Sequence, residues 1–104
     1  IIREKVFFNL KDELPHSVGV RIDHFEDGDS VWKVEATLLV MRASQKPIVI
    51  GPQGSVVKRI RLAAQKDIAE QYGVKVKLEL WVKVEPNWIT NPLILKQMGY
   101  LGDY

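Results

Sequence analysis

Ile48-Val49-Ile50-Gly51-Pro52-Gln53-Gly54 followed by Ser55-Val56-Val57-Lys58-Arg59 is the stretch on which the reading of this chain turns. Two glycines three residues apart let the backbone turn tightly and bring main-chain N–H groups near a ligand with no side chain in between. Behind them, Val57, Ile60, Ala64, Ile68 and Tyr72 recur at helical spacing, which predicts an amphipathic helix over 55–72 with Gly73 at its C-cap. That helix points its positive end at the turn. Pro47 to Ile50 reads as a short helical turn on the other side. A Gly-x-x-Gly turn alone is more often a plain helix-to-helix connection, so its surroundings decide what it is. It is not a nucleotide-triphosphate loop, which needs four residues between its glycines and then Lys-Ser/Thr. Nor is it a dinucleotide fingerprint, which needs a third glycine after a strand.

Working outward, Val74 to Val84 alternates strictly, with Val76, Leu78, Leu80, Val82 and Val84 on one face and Lys75, Lys77, Glu79, Trp81 and Lys83 on the other. Upstream, Val18, Val20 and Ile22 alternate, Glu26-Asp27-Gly28-Asp29-Ser30 makes a turn, and Trp32, Val34, Ala36, Leu38 and Val40 resume the alternation. These predict an antiparallel hairpin. A two-helix crossover of more than thirty residues then leads to the third strand, so the second and third strands are expected to be parallel. Ile2, Val6, Phe7, Leu10 and Leu14 predict a first helix closed by Pro15. Pro92 to Met98 is a candidate short helix in a tail. The order is α-β-β-α-α-β. The 104 residues, 46% of them hydrophobic, suffice for one core and not for two.

The formal net charge is only +2, but positions 42 to 83 hold nine Lys or Arg against Asp67, Glu70 and Glu79. That half therefore carries a surplus of six and the rest a deficit of four. A one-signed half suits a phosphate-bearing partner better than a mere solvated face, which would intersperse the signs. No cysteine is present, so disulfides and thiolate zinc sites are excluded. His16 and His24 with Asp23, Glu26, Asp27 and Asp29 meet no metal-ligand spacing and read as an acidic hairpin turn. No nucleophile with a base and no carboxylate pair is arguable from spacing. No window approaches the length of a membrane span.

The apolar turn, the Gly-x-x-Gly loop, the basic helix and the strand together match a KH domain, a module whose loop clamps about four backbone nucleotides. A helix and strand ahead of that core, and not after it, give the type II form. Arg3-Glu4-Lys5, Glu13-Leu14-Pro15-His16-Ser17-Val18, Gln45 to Gly51, Leu78-Glu79-Leu80-Trp81-Val82-Lys83-Val84 and the closing Met98-Gly99-Tyr100 further resemble the C-terminal half of Era-type ribosome-assembly GTPases. The resemblance implies an α+β fold, a type II KH domain whose three-stranded mixed sheet packs on helices, over residues 1–86. Residues 87–104 form a short helical tail packed on it. It also implies an RNA-binding fragment without catalysis of its own, holding single-stranded RNA at the 3′ end of small-subunit ribosomal RNA during assembly of the small ribosomal subunit. GTP and Mg belong to a separate N-terminal GTPase domain that would be its partner, and no cofactor is expected in this chain. The location implied is the bacterial cytoplasm, or otherwise a mitochondrion or chloroplast.

Carried over position by position, Gly51, Pro52, Gln53 and Gly54 are the clamp, opening onto Ser55, with Lys46, Lys58 and Arg59 as phosphate partners. Bases are expected over Ile22, Ile50 and Val57. The family loop usually carries a basic or amide-rich pair, whereas here Pro52 has no N–H and Gln53 no charge. Arg61 stands where the family commonly has glycine and Gln65 where it has arginine, which moves a charge one turn along the helix and adds Arg61 to the expected RNA contacts. Trp81 either stacks on a base or, the favoured of the two, is covered by the tail along with Trp88. The competing reading is a docking module whose basic face meets an acidic protein or, in weak peripheral association, an anionic membrane. A hydrolase built on His24 is a third.

Overall fold

The computed structural model describes residues 1–11 and 14–99. Asp12 and Glu13 of the first segment, and Tyr100 of the closing Gly-Tyr pair, lie outside them. Three strands, β1 (Gly19–Asp27), β2 (Val31–Val40) and β3 (Lys75–Val84), form one sheet in the order β1-β2-β3. β1 runs antiparallel to β2, from Gly19 opposite Leu39 to Asp27 opposite Trp32, with an irregularity between Ile22 and His24. β3 runs parallel to β2, from Val31 opposite Lys75 to Val40 opposite Val84. The hairpin, the parallel crossover and the mixed sheet are those expected from the alternation. The parallel pairing follows because the chain spends α3 (Lys46–Ile50) and α4 (Ser55–Tyr72) returning to the starting end of β2.

One face of the sheet is covered by α1 (Ile2–Asn9), α3 and α4. Ile2, Val6, Val34, Ala36, Leu38, Val49, Ile60, Ala64 and Leu78 are buried together there. Ile60, Ala64 and Ile68 recur at four-residue spacing, which puts one stripe of α4 against the sheet. The α4 helix stops at Gly73, whose φ of 65° is left-handed and whose N–H donates to Ala69 O. Lys5 Nζ reaches Asp67 at 3.3 Å and ties α1 to α4, and that carboxylate, with Glu4, raises the Lys5 ammonium above the usual lysine range.

The first helix ends earlier than its periodicity suggests. It stops at Asn9, Leu10 is extended at φ −117°, ψ 157°, and Pro15 lies inside a separate one-turn helix, α2 (Leu14–Ser17). Proline is tolerated in a first turn, where its missing N–H would have no partner anyway, so Pro15 opens this turn and does not close α1. Phe7, counted on the apolar face, is 50% exposed.

After β3, a 3-10 turn (Trp88–Thr90) leads to α5 (Pro92–Gln97), whose N-cap Asn91 accepts from the Leu93 and Ile94 N–H groups. Trp88 and Ile94 bury Leu39 on the sheet face opposite the helices. The Trp88 Nε1–H donates to Ser17 O at 3.1 Å. A side chain at Gly19 would meet the indole at 3.0 Å, so that glycine gives the ring its seat. The described part of the tail lies over Leu39, and Trp81, one row further along the sheet opposite Thr37, is 49% exposed. Trp88→Ala should cost about 3 kcal/mol of unfolding free energy in urea denaturation, the usual scale for emptying a buried aromatic site.

Candidate nucleic-acid interface

The loop between α3 and α4 is built by its glycines. Gly51 has φ 76° and ψ 170°, a region essentially reserved for glycine. A Cβ there would stand 2.8 Å from the Val56 nitrogen, so Gly51 also permits the close approach of α3 to the start of α4. Pro52 opens a 3-10 turn, Gln53 takes left-handed values (φ 54°, ψ 29°), and Gly54 continues them (φ 74°, ψ 17°). Nothing lies within 4 Å of a Cβ built on Gly54, so the outer side of the loop is open. The N-cap of α4 is Gly54, with no side chain capping it, and the positive end of an eighteen-residue helix is thereby presented at the loop.

The loop amides are more committed than the two glycines suggest. Gly51 N–H donates to Pro47 O at 2.8 Å and Gly54 N–H to Gly51 O at 3.1 Å, while Pro52 has none. The glycines thus shape the turn, and attraction for an anion falls to the α4 end and to nearby cations. Lys46 at the start of α3 and Lys58 and Arg59 near the start of α4 flank the loop along the chain, and none of them is in an ion pair among the described residues. The carboxylates that do pair sit on α1, on mid-α4, in the β1–β2 hairpin and after β3.

Beside the loop runs a groove of about 790 Å³, lined by Asn9, Leu10, Lys11, Leu14, Ser17, Gln45, Ile48, Val56 and Arg59. None of these described residues is acidic; Asp12 and Glu13, between Lys11 and Leu14 in the chain, lie outside the described residues. Its floor is apolar, with Ile48 57% exposed, and Lys11 and Arg59 add a cation from α1's end and from α4. Gln45 fixes the entry to α3, accepting from the Met41 and Arg42 N–H groups at 3.0 Å and donating to Ser17 Oγ at 3.4 Å.

Of the residues expected from sequence, Gly51, Pro52, Gln53 and Gly54 form the loop, Lys46 starts α3 before it, Ser55, Lys58 and Arg59 lie at the start of α4 after it, and Arg59 also lines the groove. Ile50 is half-buried, and Val57 is a half-buried neighbour of the core. Arg61 sits on the side of α4 turned toward β3. Ile22 lines a separate cleft with Phe25, Trp32 and Tyr72, at the far end of α4 from the loop. Leu10, Leu14, Ile48 and Val56 join the groove without having been expected there. One signal for them exists in the sequence: a single short turn cannot bury Ile48, Val49 and Ile50 at once, and only Val49 is enclosed.

Loop, helix order and sheet order define the class: the chain belongs to the KH domain family, in the type II arrangement, and the family's model matches residues 13–89. Within that class its similarity is to Era proteins. It is 44% identical to GTPase Era of Ruminiclostridium cellulolyticum, over 96% of this chain and 34% of that protein. With GTPase Era of Staphylococcus haemolyticus it shares 44% identity, over 99% of this chain and 35% of the relative. The chain thus spans about a third of the length of the curated relatives it matches. Two crystal structures superpose with a TM-score of 0.88 at 34% identity, each over 95% of this chain and 34% of the other. One is an Aquifex aeolicus Era variant bound to GDP and aluminium fluoride. The other is Era in complex with MgGDPNP and nucleotides 1506–1542 of 16S ribosomal RNA.

Among the described residues no helix is long and apolar enough to cross a membrane, and no group of His, Asp or Glu could hold a metal ion.

Proposed function

We propose that this chain binds single-stranded RNA, gripping the backbone at Gly51-Pro52-Gln53-Gly54 and laying bases into the adjoining groove over Ile48, Val56 and Leu14. The observation that carries this is the pairing of an open, left-handed loop at an uncapped helix start with an adjoining groove whose described lining is apolar with Lys11 and Arg59 as cations. A docking face for an acidic protein would need the cations and not the loop geometry; single-stranded RNA uses both. The similarity to an Era bound to 16S nucleotides supports the 3′ end of small-subunit ribosomal RNA as the target. In this reading the parent acts in small-subunit assembly in the bacterial cytoplasm. GTP and Mg are handled by its other two thirds, and this chain contributes binding, not turnover.

The test is titration with a single strand copying that 3′ end, beside a scrambled strand and an acidic peptide, at several salt concentrations. Tighter binding of the ribosomal strand is expected. Equal affinity for both strands removes the sequence preference, and preference for the peptide removes the RNA reading. Because Gln53 already adopts left-handed values and is exposed, Gln53→Lys adds a charge at the loop without new backbone strain. It should tighten RNA binding several-fold at low salt and steepen the slope of log K against log salt by about 0.7.

A further inference from the structure

We propose that the cleft at the far end of α4 from the loop is a docking site for a short basic segment of a partner protein. The segment's apolar side chains would enter the cleft and its Lys or Arg residues would meet Asp27 and Asp29. This stands apart from the RNA-binding reading and uses none of its loop or groove residues. The cleft holds about 620 Å³ and is lined by Ile22, Phe25, Trp32, Ile68 and Tyr72, among others. It opens on the helix-covered side of the sheet because of the irregularity in β1. Ile22 stands opposite Ala36 and Phe25 opposite Val34, so two residues three apart share one face, which strict alternation forbids. Asp27, opposite Trp32, is on that face too. The rings of Phe25, Trp32 and Tyr72 form one run, with centroids 5.3 Å and 5.0 Å apart. Folding nevertheless leaves Phe25 50% and Tyr72 56% exposed. An exposed apolar patch with a polar rim marks a protein contact.

The charge of the rim selects the partner. Residues 22–32 hold Asp23, Glu26, Asp27 and Asp29 and no Lys or Arg. Asp23 is taken by Arg21 and Thr37, and Glu26 faces His24, whereas Asp27 and Asp29 are in no ion pair among the described residues. Arg3, the one charged side chain of the described cleft lining, already has a partner within the chain. The free charge beside the apolar cleft is thus negative. It repels a phosphate backbone and an anionic lipid surface, and it repels the same hairpin of a second copy docked about a two-fold axis. A basic segment with apolar anchors satisfies both the cleft and its rim. The eighteen residues of α4 put this site about 27 Å from the Gly-x-x-Gly loop, so a partner here leaves the loop open.

The probes are three synthetic twelve-residue peptides, one of Leu and Lys, one of Leu and Glu, and one of Gly and Lys, titrated into the ¹⁵N-labelled chain at low salt. The Leu/Lys peptide should shift the amides of Ile22, Phe25, Asp27, Trp32 and Tyr72, and the other two should bind at least about tenfold more weakly. Thermal unfolding confirms that each variant below is folded. Phe25→Ser with Tyr72→Ser should weaken the Leu/Lys peptide at least about tenfold and leave the affinity for single-stranded RNA unchanged. Asp27→Lys with Asp29→Lys should reverse the preference, in favour of the Leu/Glu peptide. A chain ended after Gly99 should bind as the whole chain does. No shift at the cleft, or equal binding of the Gly/Lys peptide, overturns the proposal. So does peptide binding confined to the shortened chain, which assigns the cleft to residues 100–104, or self-association that the double serine variant abolishes, which assigns it to a second copy. Loss of RNA affinity in that variant would join the cleft to the RNA site and overturn the proposal while the RNA reading stands.

Discussion

Gly54→Asp is expected to raise the Kd for single-stranded RNA about a hundredfold or more while the chain stays folded. A Cβ at this position meets nothing within 4 Å, so the substitution is sterically free. The φ of 74° costs a non-glycine residue about 1 kcal/mol, and aspartate is among the residues that tolerate left-handed values best. A negative charge at the start of α4 also suits the helix dipole, so the fold has little reason to object. The ligand has every reason to: the carboxylate occupies the corner a phosphate should fill and neutralises the field that draws it there. About 2.7 kcal/mol of weaker binding corresponds to the hundredfold change. Fluorescence anisotropy gives the Kd and circular dichroism the melting curve. A Kd within threefold of wild type would mean that the loop is only a connection. Gly51 is a poorer choice for this test, since any side chain there collides with Val56 and damages loop and binding together.

The second large effect comes from charge. Replacing Lys46, Lys58 and Arg59 together by Gln should flatten the salt dependence of log K by about 2, since each phosphate left without its cation on a single strand removes about 0.7. At 0.1 M salt the same effect amounts to about two decades of affinity, shrinking toward nothing at 1 M. None of the three is in an ion pair among the described residues, so stability should barely move. An unchanged slope would place the phosphates elsewhere, on Lys75 or Lys77 for instance.

The sheet was legible in the sequence because its signals are local and redundant. Strict alternation in β3, a polar turn between β1 and β2, and a crossover too long for a hairpin leave one arrangement. The loop was legible for a similar reason, since only glycine reaches the dihedrals found at Gly51 without strain. What stayed hidden depends on which elements meet. Leu10 and Leu14 carry helical spacing, yet the chain breaks at Leu10 and α2 restarts at Leu14, which swings both toward the groove. Ile22 belongs to the same alternating face as Val20, but Val20 packs against the core while Ile22 is left 48% exposed in a cleft beside Phe25 and Trp32. Trp81 and Trp88 look equivalent in sequence. Packing separates them: Trp88 is buried with Leu39 and Ile94 over Gly19, whereas Trp81, opposite Thr37 on β3, is 49% exposed.

Whether one corner of the molecule holds the strand is decided by titrating the ¹⁵N-labelled chain with single-stranded RNA and following its amide chemical shifts. The largest shifts are expected at Gly51, Gln53, Gly54, Ser55 and Val56, then at Lys11, Ile48 and Arg59 along the groove. Shifts confined to the Phe25, Trp32 and Tyr72 cleft, with the loop amides unmoved, would show that the loop does not hold the RNA.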